Sequence, residues 1–179
     1  MFAVMEVNYF GVVAITQKFL PLIRQHKGRI INISSGLGFF SPATGAPYAP
    51  SKFALEALTD SLRRELTPLG VAVVSVNPGY VKSVMSSQAA LKLDTISQEI
   101  RQVYSNCVNE KQAEQLARIV SKADDPIVTT EAIETGLTSP KPKDRYIVAN
   151  VDGAPAWLIV FVGRILPTHL MDIISAPKH

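Results

Sequence analysis

The sequence predicts an α/β fold built on an open parallel sheet, and three observations carry that prediction. Two short runs rich in β-branched residues, 29–34 (Arg-Ile-Ile-Asn-Ile-Ser) and 71–76 (Val-Ala-Val-Val-Ser-Val), read as strands. Their apolar residues run continuously or nearly so, as a strand covered on both faces requires. Each follows a stretch with helical apolar spacing, and parallel strands need crossovers of that length.

Taken in order, residues 2–25 place Val4, Val7, Gly11, Ala14, Ile15, Leu22 and Ile23 near a 3.6-residue period and end at His26, Lys27 and Gly28, which predicts a helix. Glu6, Asn8 and Gln17 interrupt its apolar first twenty residues, with no basic leader or small-residue cleavage site, so it reads as a buried helix rather than a targeting segment. Gly36, Gly38, Pro42, Gly45 and Pro47 fill a loop after the first strand. From residue 48 to 66 the helical period returns with Phe53, Leu55, Leu58, Leu62 and Leu66, and Pro68 and Gly70 stop it. Asn77-Pro78-Gly79 breaks the second strand. A polar helix is predicted over residues 95–122 and another after Asp124, with Asp125 as its N-cap and Pro126 at its first position. Residues 139–143 are loop, 146–149 a short strand, and the C-terminal segment carries one or two helices divided near Pro167. This alternation implies right-handed crossovers, with ligands bound beyond the C-terminal ends of the strands. The residues after Ile33, Val76 and Ala149 therefore matter most.

The composition narrows the function. A chain of 179 residues, 47% hydrophobic, fits one domain. Its 18 Lys plus Arg against 15 Asp plus Glu give a net charge of +3 with no basic run, and nucleic-acid binding needs clustered cations. Cys107 is the single cysteine, which excludes an internal disulfide and a cysteine metal cluster; a reducing cytoplasm is the simplest compartment, and an organelle is also compatible with one cysteine. Cys107 reads as an unreactive thiol. The three histidines have no ligand spacing, so no metal site is expected. The apolar run 154–162 falls short of the roughly 18 residues that a membrane span needs. Trp157 and Phe161 within it read as core or pocket lining, with peripheral membrane contact the weaker reading. Asn32-Ile33-Ser34 matches a glycosylation acceptor but lies in a predicted buried strand and is discounted.

One constellation carries chemistry. Ser35 follows the first strand, Tyr48 opens the next helix, and Lys52 stands four residues on, on the same helical face. An ammonium near a phenol favours the phenolate and lowers a pKa that starts near 10. Such a tyrosine exchanges a proton with an alcohol or ketone oxygen, and a serine hydroxyl steadies that oxygen as charge develops. The Tyr-x-x-x-Lys spacing alone is weak evidence; the strand, glycine loop and helix around it supply the context.

In that context the sequence resembles the short-chain dehydrogenase/reductase family, most strongly over residues 7–81. Asn8 in Val-Asn-Tyr-Phe-Gly, the Ser35, Tyr48 and Lys52 triad, and Asn77-Pro78-Gly79 match its motifs in order and spacing. The resemblance implies the C-terminal part of a Rossmann-type doubly wound sheet. It implies NAD- or NADP-dependent interconversion of a secondary alcohol and a ketone. Tyr48 would be the acid/base, Ser35 would orient the substrate oxygen, and Lys52 would tune Tyr48 and hold the nicotinamide ribose. Asn8 would hold a water that relays protons to Lys52, and Pro78, Gly79 and Ser83 would contact the nicotinamide end. The apolar C-terminal half, with Tyr146, Trp157 and Phe161, is similar to the retinol, hydroxysteroid and 3-hydroxybutyrate dehydrogenase branches, which implies an apolar or lipid-like substrate. Homo-oligomers built on the helices of Asn8 and Tyr48 are a further implication.

The family's glycine-rich turn, whose backbone approaches a pyrophosphate at a helix N-terminus, has no counterpart in the sequence. Gly36-Leu37-Gly38 runs into Pro42 and Pro47 instead of opening a helix. The expectation is therefore a single domain over residues 1–179 truncated at its N-terminal side. The alternative is an inactive fragment of the family that acts through helix-mediated dimerisation.

Overall fold

A computed structural model describes residues 1–88 and 96–175, and its centre is β2, Ala72–Pro78. This strand pairs in parallel with β1, Arg29–Ile33, in the register Arg29↔Ala72 to Ile33↔Val76. On its other side it pairs in parallel with β3, Arg145–Val148, from Ser75↔Arg145 to Pro78↔Val148. Among the described residues the sheet order is β1-β2-β3. Val73, Val74, Ser75, Val76 and Asn77 are all buried, as a strand covered on both faces must be.

The two covers are helical. On one face lies α3, Ala49–Leu66, where the Asn32 amide donates to Thr59 Oγ1 at 2.8 Å and Ser75 Oγ donates to Glu56 Oε1 at 2.6 Å. A cluster of Ile30, Leu66, Val71 and Val73, joined by Leu20, Ile23 and Leu62, fills the end of that layer. On the opposite face lies α7, Ile127–Thr138, where a Cβ on Gly136 would stand 3.3 Å from Ile31 and 3.6 Å from Val74. The sheet advances in one direction while α3 and α7 lie on opposite faces. The two crossovers therefore have opposite hands, and the right-handed expectation holds for only one of them.

Several local expectations are corrected. The first helix is three pieces: α1, Phe2–Met5, a π-helical turn, Glu6–Phe10, and α2, Gly11–Gln25. It is not buried: Phe2, Val7, Phe10, Ile15, Phe19 and Leu22 are exposed, and Thr16 is the one buried residue of α2. Strand β2 runs through Asn77 and Pro78 instead of ending at Val76, because Pro78 still pairs with Val148. After β2 comes a short helix, α4, Val84–Gln88. The polar region predicted over 95–122 is two helices, α5, Gln98–Val103, and α6, Glu110–Ser121, capped by Ser97 and Asn109; residue 95 lies outside the described residues. The N-cap of α7 is Pro126 and not Asp125, and the helix begins at Ile127, although Asp125 Oδ1 still accepts from Ile127 N at 2.9 Å.

Beyond β3 a small hairpin, β4, Asn150–Val151, with β5, Ala154–Pro155, turns through Asp152 and Gly153 at positive φ. It was not read from the sequence. Two helices follow, α8, Ala156–Ile165, and α9, Thr168–Ser175, divided at Pro167 as expected. On α8, Val160 is buried, but Trp157 and Phe161 are 55% and 56% exposed, so neither is core. No helix among the described residues is long and apolar enough to cross a membrane.

Candidate active site

The C-terminal ends of β1 and β2 meet the N-terminus of α3, and the predicted triad lies at that junction. Ser34 continues the ladder, its N–H donating to Val76 O at 2.8 Å, and Ser35 leaves in extended conformation. Its Oγ accepts from Leu37 N at 3.2 Å and so caps the tight 3-10 turn Gly36–Gly38. The cap uses the hydroxyl as acceptor and leaves its proton to donate. Gly38 cannot carry a side chain: a Cβ there would stand 2.9 Å from Glu56 Cγ and 3.2 Å from Lys52 O. The turn therefore lies directly on α3.

Tyr48 is the residue before α3, and Lys52 follows one turn on, with its ammonium 5.6 Å from the Tyr48 ring centroid. Lys52 Nζ donates to Ile33 O at 3.0 Å and the residue is 9% exposed. The Ser35 side chain engages the Tyr48 phenol. Burial raises the Tyr48 pKa above 10.0; the Ser35 contact opposes the rise and the neighbouring Tyr80 adds to it. The expected lowering of this phenol is thus reversed by its desolvation. Burial pushes the Lys52 ammonium below its ordinary 10.5, and the carboxylate of Glu56 pulls the other way.

Asn8 lies within the π-helical turn, a distortion frequent at functional sites. Its Nδ2 donates to Ser51 Oγ at 3.1 Å, and Ser51 Oγ donates to Tyr48 O at 2.7 Å. Asn8 thus reaches the backbone of Tyr48 through the residue next to Lys52. Pro78 and Gly79 end β2, and a Cβ on Gly36 would lie 3.7 Å from the Pro78 carbonyl. Gly79 N donates to Val148 O at 2.8 Å, and a Cβ on Gly79 would stand 2.7 Å from Asn150 O, so the hairpin demands glycine there. Ser83 is exposed and engaged elsewhere: its Oγ accepts from Ser86 N at 3.1 Å, which starts α4.

Residues that sequence reasoning missed surround the triad. Glu56 Oε1 accepts from Ser75 Oγ and, at 2.7 Å, from Asn77 Nδ2, while its Oε2 accepts from Arg145 Nε at 3.0 Å. Arg145 also pairs with Asp60, which holds Arg63 at 2.8 Å. Tyr80, part-buried and with its pKa raised by burial, acts on Tyr48 from the β2 side. The available signal was position: Glu56 repeats the Tyr48 and Lys52 spacing by another four residues.

The residues present fit the nicotinamide end of a dinucleotide. Lys52 uses one of three ammonium donors on Ile33, so two remain for ribose hydroxyls, and they stand beyond the strand ends where such ligands bind.

Comparison with known proteins gives the family and the fold. A family model described as short chain dehydrogenase matches residues 1–94. Dehydrogenase/reductase SDR family member 9 of Bos taurus is 38% identical over 160 residues, 86% of this chain and 50% of that protein. Retinol dehydrogenase 7 of Rattus norvegicus is 34% identical over 179 residues, 96% of this chain and 55% of that protein. D-beta-hydroxybutyrate dehydrogenase, mitochondrial, of Bos taurus is 35% identical over 153 residues, 80% of this chain and 44% of that protein. The chain thus spans about half the length of these relatives. Among solved structures, a short chain dehydrogenase from Burkholderia cenocepacia in complex with NADP superposes with a TM-score of 0.65 at 23% identity, covering 97% of this chain and 58% of that one. A second, from Streptomyces avermitilis, gives 0.62 at 23%, covering 96% and 56%. The parallel sheet and its helical layers are those of the Rossmann-type fold.

Proposed function

The chain belongs to the short-chain dehydrogenase family, and from that premise we propose that it carries the reacting end of an oxidoreductase. The reaction interconverts a secondary alcohol and a ketone with NAD or NADP. The observation that carries this reading is the meeting of Ser35, Tyr48 and Lys52 where two parallel strands end. Residues 1–179 are then one domain, the C-terminal part of a Rossmann-type unit.

In this reading the Ser35 hydroxyl, its oxygen already used by Leu37 N, donates its proton to the substrate oxygen and fixes its position. The Tyr48 phenol gives a proton to that oxygen on reduction and removes it on oxidation. Lys52, anchored on Ile33, holds a ribose hydroxyl and favours the phenolate when it forms. Asn8, through Ser51, sets the backbone of Tyr48 and stands next to the proton path at Lys52. Pro78 and Gly79 take the nicotinamide end, and Ser83 reaches it only by giving up its hydrogen bonds to Ser86. When bound, NAD or NADP supplies or accepts the hydride.

An apolar or lipid-like alcohol is the proposed substrate. Its support is the exposed Trp157 and Phe161 and the likeness to a retinol dehydrogenase. The single cysteine speaks for a cytoplasmic setting. Titration of the purified chain with NADH and NADPH tests the reading. Saturable binding, with Tyr48→Phe abolishing turnover of apolar secondary alcohols while binding persists, supports it, and absence of binding to either overturns it.

One observation favours a second reading, a family fragment that acts by pairing with a second copy of itself. Val7, Phe10, Ile15, Phe19 and Leu22 on the first helices and Phe53 on α3 are apolar and exposed. Sedimentation equilibrium decides this: a dimer that Phe53→Lys dissociates sustains it, and a monomer at every concentration removes it.

A further inference from the structure

We propose that Glu56 is the positioning residue of this site: its carboxylate locks together the three segments that carry Ser35, Lys52 and Asn77 and places a fixed negative charge one helical turn from Lys52. The inference deepens the reading of Ser35, Tyr48 and Lys52 as the reacting site and rests on it.

The argument begins with cost. A carboxylate with 7% side-chain exposure in the layer between α3 and the sheet is expensive unless every oxygen is engaged. Glu56 is engaged on both oxygens, by Ser75 and Asn77 of β2 and by Arg145 of β3. Such a group holds one position, because any movement breaks several charge-assisted hydrogen bonds at once.

That position serves the site from three directions. Along α3, Glu56 follows Lys52 by one turn, so a fixed anion lies one helical turn from a buried ammonium. Across the sheet, the Asn77 amide that donates to Glu56 also reaches Ser35 O at 3.4 Å, which ties the backbone of the catalytic serine to the same carboxylate. From above, the Gly36–Gly38 turn rests on Glu56 Cγ so closely that Gly38 has no room for a methyl group. Shape alone does not call for a charge here, since an apolar side chain of similar volume packs a helix on a sheet more cheaply.

The charges that face this pair come from each element packed on it. Tyr48 immediately precedes α3, Asp60 lies on it, Tyr80 lies beyond β2, and Arg145 reaches in from β3 to Glu56 and Asp60. Arg145 neutralises part of the Glu56 field. Removing the carboxylate leaves Lys52 facing a guanidinium compensated by Asp60 alone, and removing the guanidinium leaves it facing the Glu56 carboxylate without its counter-charge. The two substitutions must move Lys52 in opposite directions.

The experiment reads Lys52 and Tyr48 directly by NMR titration of side-chain-labelled lysine and tyrosine in the chain of 179 residues, with no cofactor and no turnover. In Glu56→Gln, which keeps the size and one acceptor oxygen for Ser75 and Asn77 but gives up the acceptor for Arg145, the Lys52 midpoint falls by about half a unit or more, roughly a threefold change in its charged-to-neutral ratio, and the Tyr48 midpoint rises. In Arg145→Gln the Lys52 midpoint rises. Where Glu56→Gln does not fold, Arg145→Gln decides alone. A purely structural Glu56 lowers thermal stability in both variants and leaves both midpoints where they were, and that result overturns the proposal. Failure of the functional reading shows separately, as absence of NADH and NADPH binding to the unaltered chain.

Discussion

Lys52 Nζ and the carbonyl oxygen of Ile33 are 3.0 Å apart, so the lysine ties the first turn of α3 to the C-terminal end of β1. Ser35 lies two residues beyond that carbonyl and Tyr48 one turn before the lysine. This hydrogen bond thereby helps to set the distance between the two hydroxyls that would face a substrate oxygen, and a catalytic pair needs that distance fixed.

The tie holds a charge where burial disfavours it, which predicts a trade of stability for function. The folded Lys52 pKa lies below its ordinary 10.5, so the unfolded chain binds this proton more tightly than the folded one. The cost is full below the folded midpoint, where both states are charged, and it vanishes as pH rises to 10.5. Lys52→Met is therefore expected to be more stable than the wild type near neutral pH, with the difference shrinking toward alkaline pH, and to lose NAD(P)H binding. Urea unfolding at several pH values measures this. A variant less stable at every pH would show that the Ile33 hydrogen bond outweighs the desolvation.

A second tie between the same elements is neutral and wholly buried. Asn32 Nδ2 donates to Thr59 Oγ1, and Thr59 Oγ1 donates to Leu55 O at 2.7 Å. Thr59→Val keeps the shape but orphans the Asn32 amide in the core, which is expected to cost about 1–3 kcal/mol. Asn32→Leu with Thr59→Val removes both partners and is expected to cost less than the sum of the single changes. A double-mutant cycle by denaturant unfolding checks this, and additivity within error refutes it.

How far the sequence discloses this molecule follows from the range of each interaction. Strand β2 was legible because Val71, Val73, Val74 and Val76 make a nearly continuous β-branched run, whereas the burial of the polar Ser75 and Asn77 within it was not. Tyr48 and Lys52 were legible because their relation is local, one helical turn. The hairpin at residues 150–155 was not, because Asp152 and Gly153 join strands of only two residues each. Glu56 was not, because its partners Ser75, Asn77 and Arg145 lie 19, 21 and 89 residues away. The exposed apolar face of α1 and α2 escaped for the opposite reason: helical periodicity reports that a face is apolar and not what it packs against.

Gly79 separates a structural role from a binding one. Its missing side chain is explained by Asn150 O, which a Cβ would approach to 2.7 Å, with Ala156 Cβ at 3.2 Å. Gly79→Ala is expected to displace the hairpin and destabilise the chain by about 1–3 kcal/mol, even with no ligand present. Hydrogen exchange localises the effect: protection lost at residues 148–156 supports this account, and a stable variant with unaltered exchange there contradicts it.

The two neighbours of the Tyr48 phenol give its titration opposite signs. The Ser35 contact lowers its pKa and Tyr80 raises it, against the larger rise from burial. Ser35→Ala is expected to move the Tyr48 midpoint further above 10.0, and Tyr80→Phe, which keeps the ring and its burial, to move it down. Carbon-13 labelling of the tyrosine ring, with Tyr48→Phe to assign its resonance, reads both shifts. If Tyr48 is the base of the proposed oxidation, the rate requires the phenolate, so kcat/KM is expected to rise with pH toward the Tyr48 midpoint, and the rise to begin at lower pH in Tyr80→Phe than in the wild type. Shifts of the same sign in both variants would mean that the two hydroxyls act on the phenol only through a common change in its burial.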